Sequence, residues 1–110
     1  MEATAKQKFA RISRKKIQPV AKMIRGLPIH EAIASLQFTP KKGALLIRKV
    51  IESARANAAE KKADVDALFV KSVRIDKGPM FYRIMTRQRG MAHRIRKRSV
   101  HITVTVGDEA

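Results

Sequence analysis

The sequence predicts an α+β fold: a small antiparallel sheet packed on three helices, with a long protruding β-hairpin. Three observations carry that expectation. Apolar residues recur at helical spacing between residues 13 and 62. Val100, Ile102, Val104 and Val106 alternate with His101, Thr103 and Thr105, the period of a strand with one buried face. Between Asp76 and Asp108 no acidic residue occurs, and charged and apolar side chains alternate about Gly90 as in a two-stranded ribbon.

Taken in order, residues 3–12 form a basic, weakly alternating segment (Ala5, Phe9, Ile12) that predicts a terminal strand. Ser13 is placed to cap a helix in which Ile17, Val20, Ala21 and Ile24 recur at i, i+3, i+4 and i+7. Gly26 followed by Pro28 ends it. Pro19 opposes this helix, because an interior proline removes a backbone hydrogen bond and costs about 3 kcal/mol or more. A kink near Pro19, or a later start, is the expectation.

A short helix follows, with Ile29, Ile33 and Leu36 on one side. Thr39-Pro40 offers a capping hydroxyl and then a proline whose missing N–H is harmless at a helix start. From there Ile47, Val50, Ile51, Ala54 and Ala58 mark the core face of the longest helix, ending around Lys62. Asp64 and Asp66 mark a loop, and Leu68 to Ile75 is rich in strand-forming residues. The whole chain, 1–110, reads as one domain with its hairpin at about 77–99. Each arm has about ten residues, so at ~3.3 Å per residue the ribbon reaches roughly 30 Å.

The hydrophobic fraction of 45% suffices for a core, which must be aliphatic because the chain has one Tyr, four Phe and no Trp. Net charge is +16, in the range of a nucleic-acid binder. The excess sits at the two ends of the chain. Residues 1–30 hold eight Lys or Arg against Glu2 alone, and residues 77–110 hold eight against two acids.

The hairpin carries Lys77, Arg83, Arg87, Arg89, Arg94, Arg96, Lys97 and Arg98. A charge run ordinarily means a solvated loop. Here Met80, Phe81, Ile84, Met85, Met91 and Ile95 are interleaved with the cations and would be poor choices for open solvent. A phosphate backbone is the partner that drives such binding, through release of its counterions. Arginine outnumbers lysine six to two, and its planar fork suits phosphates and stacks on unpaired bases. Lys6, Lys8, Arg11, Arg14, Lys15, Lys16, Lys22 and Arg25 form a second patch, partly at a helix start where the dipole disfavours cations.

Other chemistries find little support. Without Cys there is no disulfide, thiolate metal site or thiol nucleophile, which fits a cytosolic protein. His30, His93 and His101 are far apart and lack metal-ligand spacing, so no metal is expected. His101 reads as a surface or RNA-contacting residue, and Asn57, beside the long helix's apolar stripe, as a structural amide. No catalytic residues, phosphate loop or cofactor site can be assembled, so no enzyme is expected. No apolar run spans a bilayer, and no membrane partner is expected. Two rival readings stand: a helix-turn-helix DNA-binding module, and a membrane-active cationic hairpin. The mixed charge of the long helix weighs against the first.

Motifs along the chain resemble the L twenty-two family of bacterial large-subunit ribosomal proteins. They are Ile24-Arg25-Gly26, Ser53-Ala54-Arg55-Ala56-Asn57-Ala58, Asp76-Lys77-Gly78-Pro79, Arg83-Ile84-Met85, Arg87, Gly90, Lys97-Arg98 and His101-Ile102-Thr103-Val104. The match runs in order from about Ala5 to Gly107. The resemblance implies a monomer within the ribosome, in the cytoplasm, that binds large-subunit ribosomal RNA and neighbouring ribosomal proteins and supports subunit assembly. It also implies a hairpin whose tip lines the exit tunnel beside the nascent polypeptide.

By position, the resemblance implies RNA contacts for Arg83, Arg87, Arg94, Lys97 and Arg98, with Arg11, Lys16 and Arg25 matching basic family positions. Lys6, Lys8, Arg14, Lys15, Lys77, Arg89, Arg96 and His101 complete the expected RNA-binding set, and Tyr82 is assigned to stack on a base. The tip, from Met85 through Thr86, Arg87, Gln88, Arg89, Gly90, Met91 and Ala92 to His93, is expected to face the tunnel.

Overall fold

The computed structural model describes the backbone of residues 1–86 and 92–108, and the side chains of 1–80 and 97–108. In chain order its elements are β1 (Glu2–Ala10), α1 (Arg14–Ile24), α2 (Ile29–Gln37), α3 (Lys42–Glu60), a 3-10 turn (Val65–Ala67), β2 (Phe69–Lys77), β3 (Phe81–Thr86), β4 (Ala92–Lys97) and β5 (Val100–Gly107). β5 lies between β1 and β2 and pairs antiparallel with both. β3 and β4 form a separate antiparallel pair, with Phe81 opposite Lys97 and Thr86 opposite Ala92. The expected α+β class is the observed one.

The alternation in β5 does what its period requires. Val100, Ile102, Val104 and Val106 point into the core with Ala3 and Ala5 from β1 and Val70, Val73 and Ile75 from β2. Against them pack Ile17, Val20, Ala21 and Ile24 of α1, and Ile47, Val50, Ile51, Ala54 and Ala58 of α3. α3 covers β1 and β5, α1 covers β2, and α2 packs on α3 through Ile29, Ala32 and Leu36. Each fully buried Val, Ile or Leu contributes roughly 1.5–3 kcal/mol by leaving water. Asn57 is structural as expected: its Nδ2 donates to the Thr4 carbonyl at 2.9 Å, fastening α3 to β1.

Several expectations are corrected. α1 starts at Arg14, so it does not start late, and its helical span runs through Pro19 to Ile24. Pro19 is exposed, and the carbonyl its missing amide would have met belongs to Lys15, also exposed, so solvent offsets the loss. Ser13 is the N-cap residue, yet its side chain makes no capping hydrogen bond. Thr39 does not open α3 either; its hydroxyl donates back to the Ser35 carbonyl at 2.8 Å, closing α2, and Lys41 is the N-cap of α3.

Phe9 does not join the core. Its Cα partners show one extra residue in β1 between Gln7, opposite Ile102, and Ala10, opposite Val100. This bulge turns Phe9 to φ +60°, a left-handed conformation that costs a bulky residue of order 1–3 kcal/mol. The residue is left 52% exposed.

The ribbon is not one continuous sheet with the body. Strand pairing stops after Lys77 and resumes at Phe81, and on the return it stops between Lys97 and Val100. Pro79 has no N–H to give a ladder. The Gly78 amide instead donates to the Ser99 carbonyl at 3.0 Å, and the Ser99 hydroxyl donates to the Pro79 carbonyl at 2.6 Å. The Cα radius of gyration is 16.9 Å, against about 13 Å for a compact chain of this length. The molecule is elongated, 62 × 25 × 18 Å along its principal axes.

Candidate nucleic-acid interface

The two basic patches, far apart in sequence, meet where the hairpin leaves the body. α1 buries Ile17, Val20, Ala21 and Ile24, so its opposite face presents Arg14, Lys15, Gln18, Pro19 and Lys22. Arg14, Gln18 and Lys22 follow one another at four-residue steps along that face. α1 packs on β2, whose last residue is Lys77, the root of the hairpin. A groove of about 740 Å³ results, lined by these five residues together with Lys77, Gly78, Met80, Arg98, Ser99 and Val100.

Two smaller basic grooves lie around the start of α1. One, of about 460 Å³, is lined by Arg11, Ile12, Ser13, Lys16, Lys42, Lys97 and Arg98. The other, of about 320 Å³, includes Lys15, Lys16, Pro19, Lys41 and Lys42. Arg98 is shared with the first groove, and Lys15 and Pro19 also line both it and the third, so the three form one basic surface.

Among the described residues no carboxylate lines any of the three grooves. Four acids pair elsewhere: Glu2 with Lys71 at 2.6 Å, Asp76 with Arg74 at 3.0 Å, and Asp66 with His30 at 2.9 Å. Asp108 meets the N-terminal ammonium at 3.2 Å. The Lys71 ammonium, first by its hydrogen bond and then by its charge, holds the Glu2 carboxyl below the usual range. Cations gathered this closely repel one another, so this surface is suited to a polyanion.

The first turn of α1 sharpens the point. Arg14, Lys15 and Lys16 occupy it with no acid among them, where the dipole disfavours each cation by about 0.3–1 kcal/mol. Folding alone gives no reason for that arrangement; an anionic ligand across the groove does.

Other predicted residues fall into different places. Lys6 and Lys8 are exposed on β1. Arg25 is exposed but bonded to the body: its Nε and Nη2 donate to the Val73 carbonyl at 3.2 and 2.6 Å, tying the end of α1 to β2. His101 accepts the Phe9 amide on Nδ1 at 3.1 Å, and the two rings meet edge to face at 5.0 Å.

Tyr82, Arg83, Met85 and Thr86 lie on β3, and Ala92, His93, Arg94, Arg96 and Lys97 on β4. Arg87, Gln88, Arg89, Gly90 and Met91 lie outside the described residues. The sequence reading missed Gln18, Pro19, Lys41 and Lys42 as groove residues. The helical spacing from Arg14 would have found Gln18; nothing local marks Lys42, which α3 brings beside Arg11, its Nζ donating to the Arg11 carbonyl at 2.7 Å.

Among the described residues no group of three His, Asp or Glu gathers as a metal site, and no helix is long and apolar enough to cross a membrane. A family model described as Ribosomal protein L22p/L17e matches residues 5–107, from β1 to the end of β5. The chain therefore belongs to that family: it is a structural protein of the large ribosomal subunit, acts in translation, and binds ribosomal RNA there.

Proposed function

We propose that the basic surface at the hairpin root grips the phosphates of large-subunit ribosomal RNA while the hairpin inserts between RNA segments. One observation carries this reading: Arg14, Lys15 and Lys22 of α1 converge with Lys77 and Arg98 on a single groove without acids. Lys6, Lys8, Arg11 and Lys16 extend the contact over the body, and Arg83, Arg94, Arg96 and Lys97 extend it along the ribbon. Tyr82 stacks on a base. Beyond them Arg87 and Arg89 carry the charge to the tip. Residues 85–93 line the nascent-peptide tunnel, as the likeness to bacterial members suggests.

In this reading affinity comes from counterion release, and specificity comes from the match of the root and ribbon to RNA shape. The protein joins the particle as a monomer in the cytoplasm, beside other large-subunit proteins, and supports early assembly. An isolated two-stranded ribbon is marginal in water, so packing into RNA also stabilises it.

The test is a salt titration of binding to large-subunit RNA, with duplex DNA as comparator. Neutralising about eight phosphates lowers affinity roughly a thousandfold or more between about 50 and 200 mM salt. Crosslinks from residues 80–98 to RNA in purified subunits are the expected companion result. A flat titration, or equal affinity for duplex DNA, rejects the proposal.

A further inference from the structure

We propose that Phe9 and His101 together form a stacking site for one unpaired nucleobase of the bound RNA. The proposal rests on the RNA-binding reading above and adds a specific site to it.

The bulge in β1 is where the argument starts. A left-handed residue at such a bulge is ordinarily Gly, sometimes Asn, because a Cβ crowds the backbone there. This chain instead places a phenylalanine at φ +60°. Burial does not explain it, since the residue is 52% exposed. Folding alone would favour a smaller residue at this position.

What the conformation accomplishes is to hold an aromatic ring outward in a fixed orientation. The amide of Phe9 is secured by His101 Nδ1 at 3.1 Å, and its ring meets the imidazole at 5.0 Å with an interplanar angle of 87°. Whichever ring presents its edge, His101 can cover at most one face of the Phe9 ring. At least one face remains for a ligand.

The surroundings identify that ligand. Lys8 precedes Phe9, and Arg11 follows it at the edge of the basic groove that holds Lys16, Lys97 and Arg98. The one acid opposite His101, Asp76, is held by Arg74 at 3.0 Å. His101 Cε1 also lies 3.3 Å from where a side chain on Gly78 would begin, so the pair adjoins the hairpin root. An open aromatic face flanked by cations is the arrangement that takes a base on the ring and its phosphates on the lysines and arginines.

Two variants of the full chain test this against large-subunit RNA free of protein. Phe9→Gly removes the ring and relieves the backbone, so it folds at least as well as the parent. Stacking on one base predicts roughly five- to hundredfold weaker binding with an unchanged salt slope, since no phosphate contact is lost. Phe9→Trp keeps a stacking ring and places the only indole in a chain that has no Trp. It should retain affinity, and its fluorescence should be quenched when RNA binds. The site is rejected if the parent and Phe9→Gly bind equally, or if the indole emission is unchanged in a saturated complex. It is also rejected if Phe9→Gly binds bare RNA normally but fails to enter particles reconstituted with other ribosomal proteins, which would mean a protein contact. If the parent itself does not bind, the RNA-binding proposal falls with it; that result is distinct from the other three.

Discussion

The amide of Gly78 donates to the carbonyl of Ser99 at 3.0 Å, joining the two strands of the hairpin at the point where they leave the body. Ser99 is 2% exposed, and its hydroxyl closes the joint by donating to Pro79. A Cβ on residue 78 would lie 2.7 Å from that hydroxyl and 3.2 Å from the Ser99 carbonyl. Pro79 is exposed and its carbonyl can turn to water, so Ser99→Ala should cost about 0.5–1.5 kcal/mol, the net worth of one hydrogen bond. Gly78→Ala should destabilise through the clash. Because part of that clash is with the hydroxyl, the double variant should lose less than the sum of the two. Urea unfolding of all four proteins measures the coupling, and strict additivity would show that the two residues act independently.

The basic first turn of α1 sets stability against binding. Replacing Lys15 and Lys16 with Glu removes two unfavourable charges from the positive end of the helix dipole and adds two favourable ones. The free protein should gain roughly 1–2 kcal/mol, read as a higher Tm. RNA binding should weaken, with the slope of log K against log salt shallower by about two. A variant that lost both stability and binding would contradict this division of roles.

Arg25 should behave differently from its basic neighbours. Its guanidinium is committed to the Val73 carbonyl, so Arg25→Ala should cost about 1–2 kcal/mol of stability, discounted for its exposure. The salt slope of RNA binding should stay nearly constant, whereas Lys22→Ala or Arg98→Ala should each lower it by about one. Parallel melting and salt titrations separate the two classes.

Glu2 and Lys71 predict an acid-side effect. A carboxyl whose folded value is lowered favours the folded state above its unfolded value, and that contribution fades as pH falls through the lowered folded value. Lys71 reaches Glu2 past Gly107, where an added Cβ would lie 2.6 Å from the Lys71 chain. Glu2→Gln should reduce stability modestly at neutral pH, by an amount that shrinks in acid and in high salt. The comparison is urea unfolding at neutral and acid pH.

The helical stripes and the closing strand were legible because each period answers to one buried face. Ile17 to Ile24 and Val100 to Val106 are buried as their spacing foretold. Boundaries were less legible. Thr39 and Ser13 have the right chemistry for caps, but the hydroxyl of one bonds to the helix behind it and the other makes no capping bond. Local propensity marks where a cap is possible, and packing of the neighbouring helices chooses which is used. Pro19 does not delay the start of α1 for a similar reason, because its cost depends on whether the orphaned carbonyl is wet.

Charge, periodicity and family motifs were therefore settled by the chain itself: a basic α+β protein with a cationic ribbon, identifiable before any coordinate. Only the tertiary structure decided that the two ends of the chain share one surface, that Arg25 is spent on Val73, and that Phe9 turns outward beside His101. Sequence records what each side chain can do over a few residues. Which distant side chains become neighbours follows from the pairing of β1 and β2 on either side of β5, and that register is set by the burial of the whole core at once.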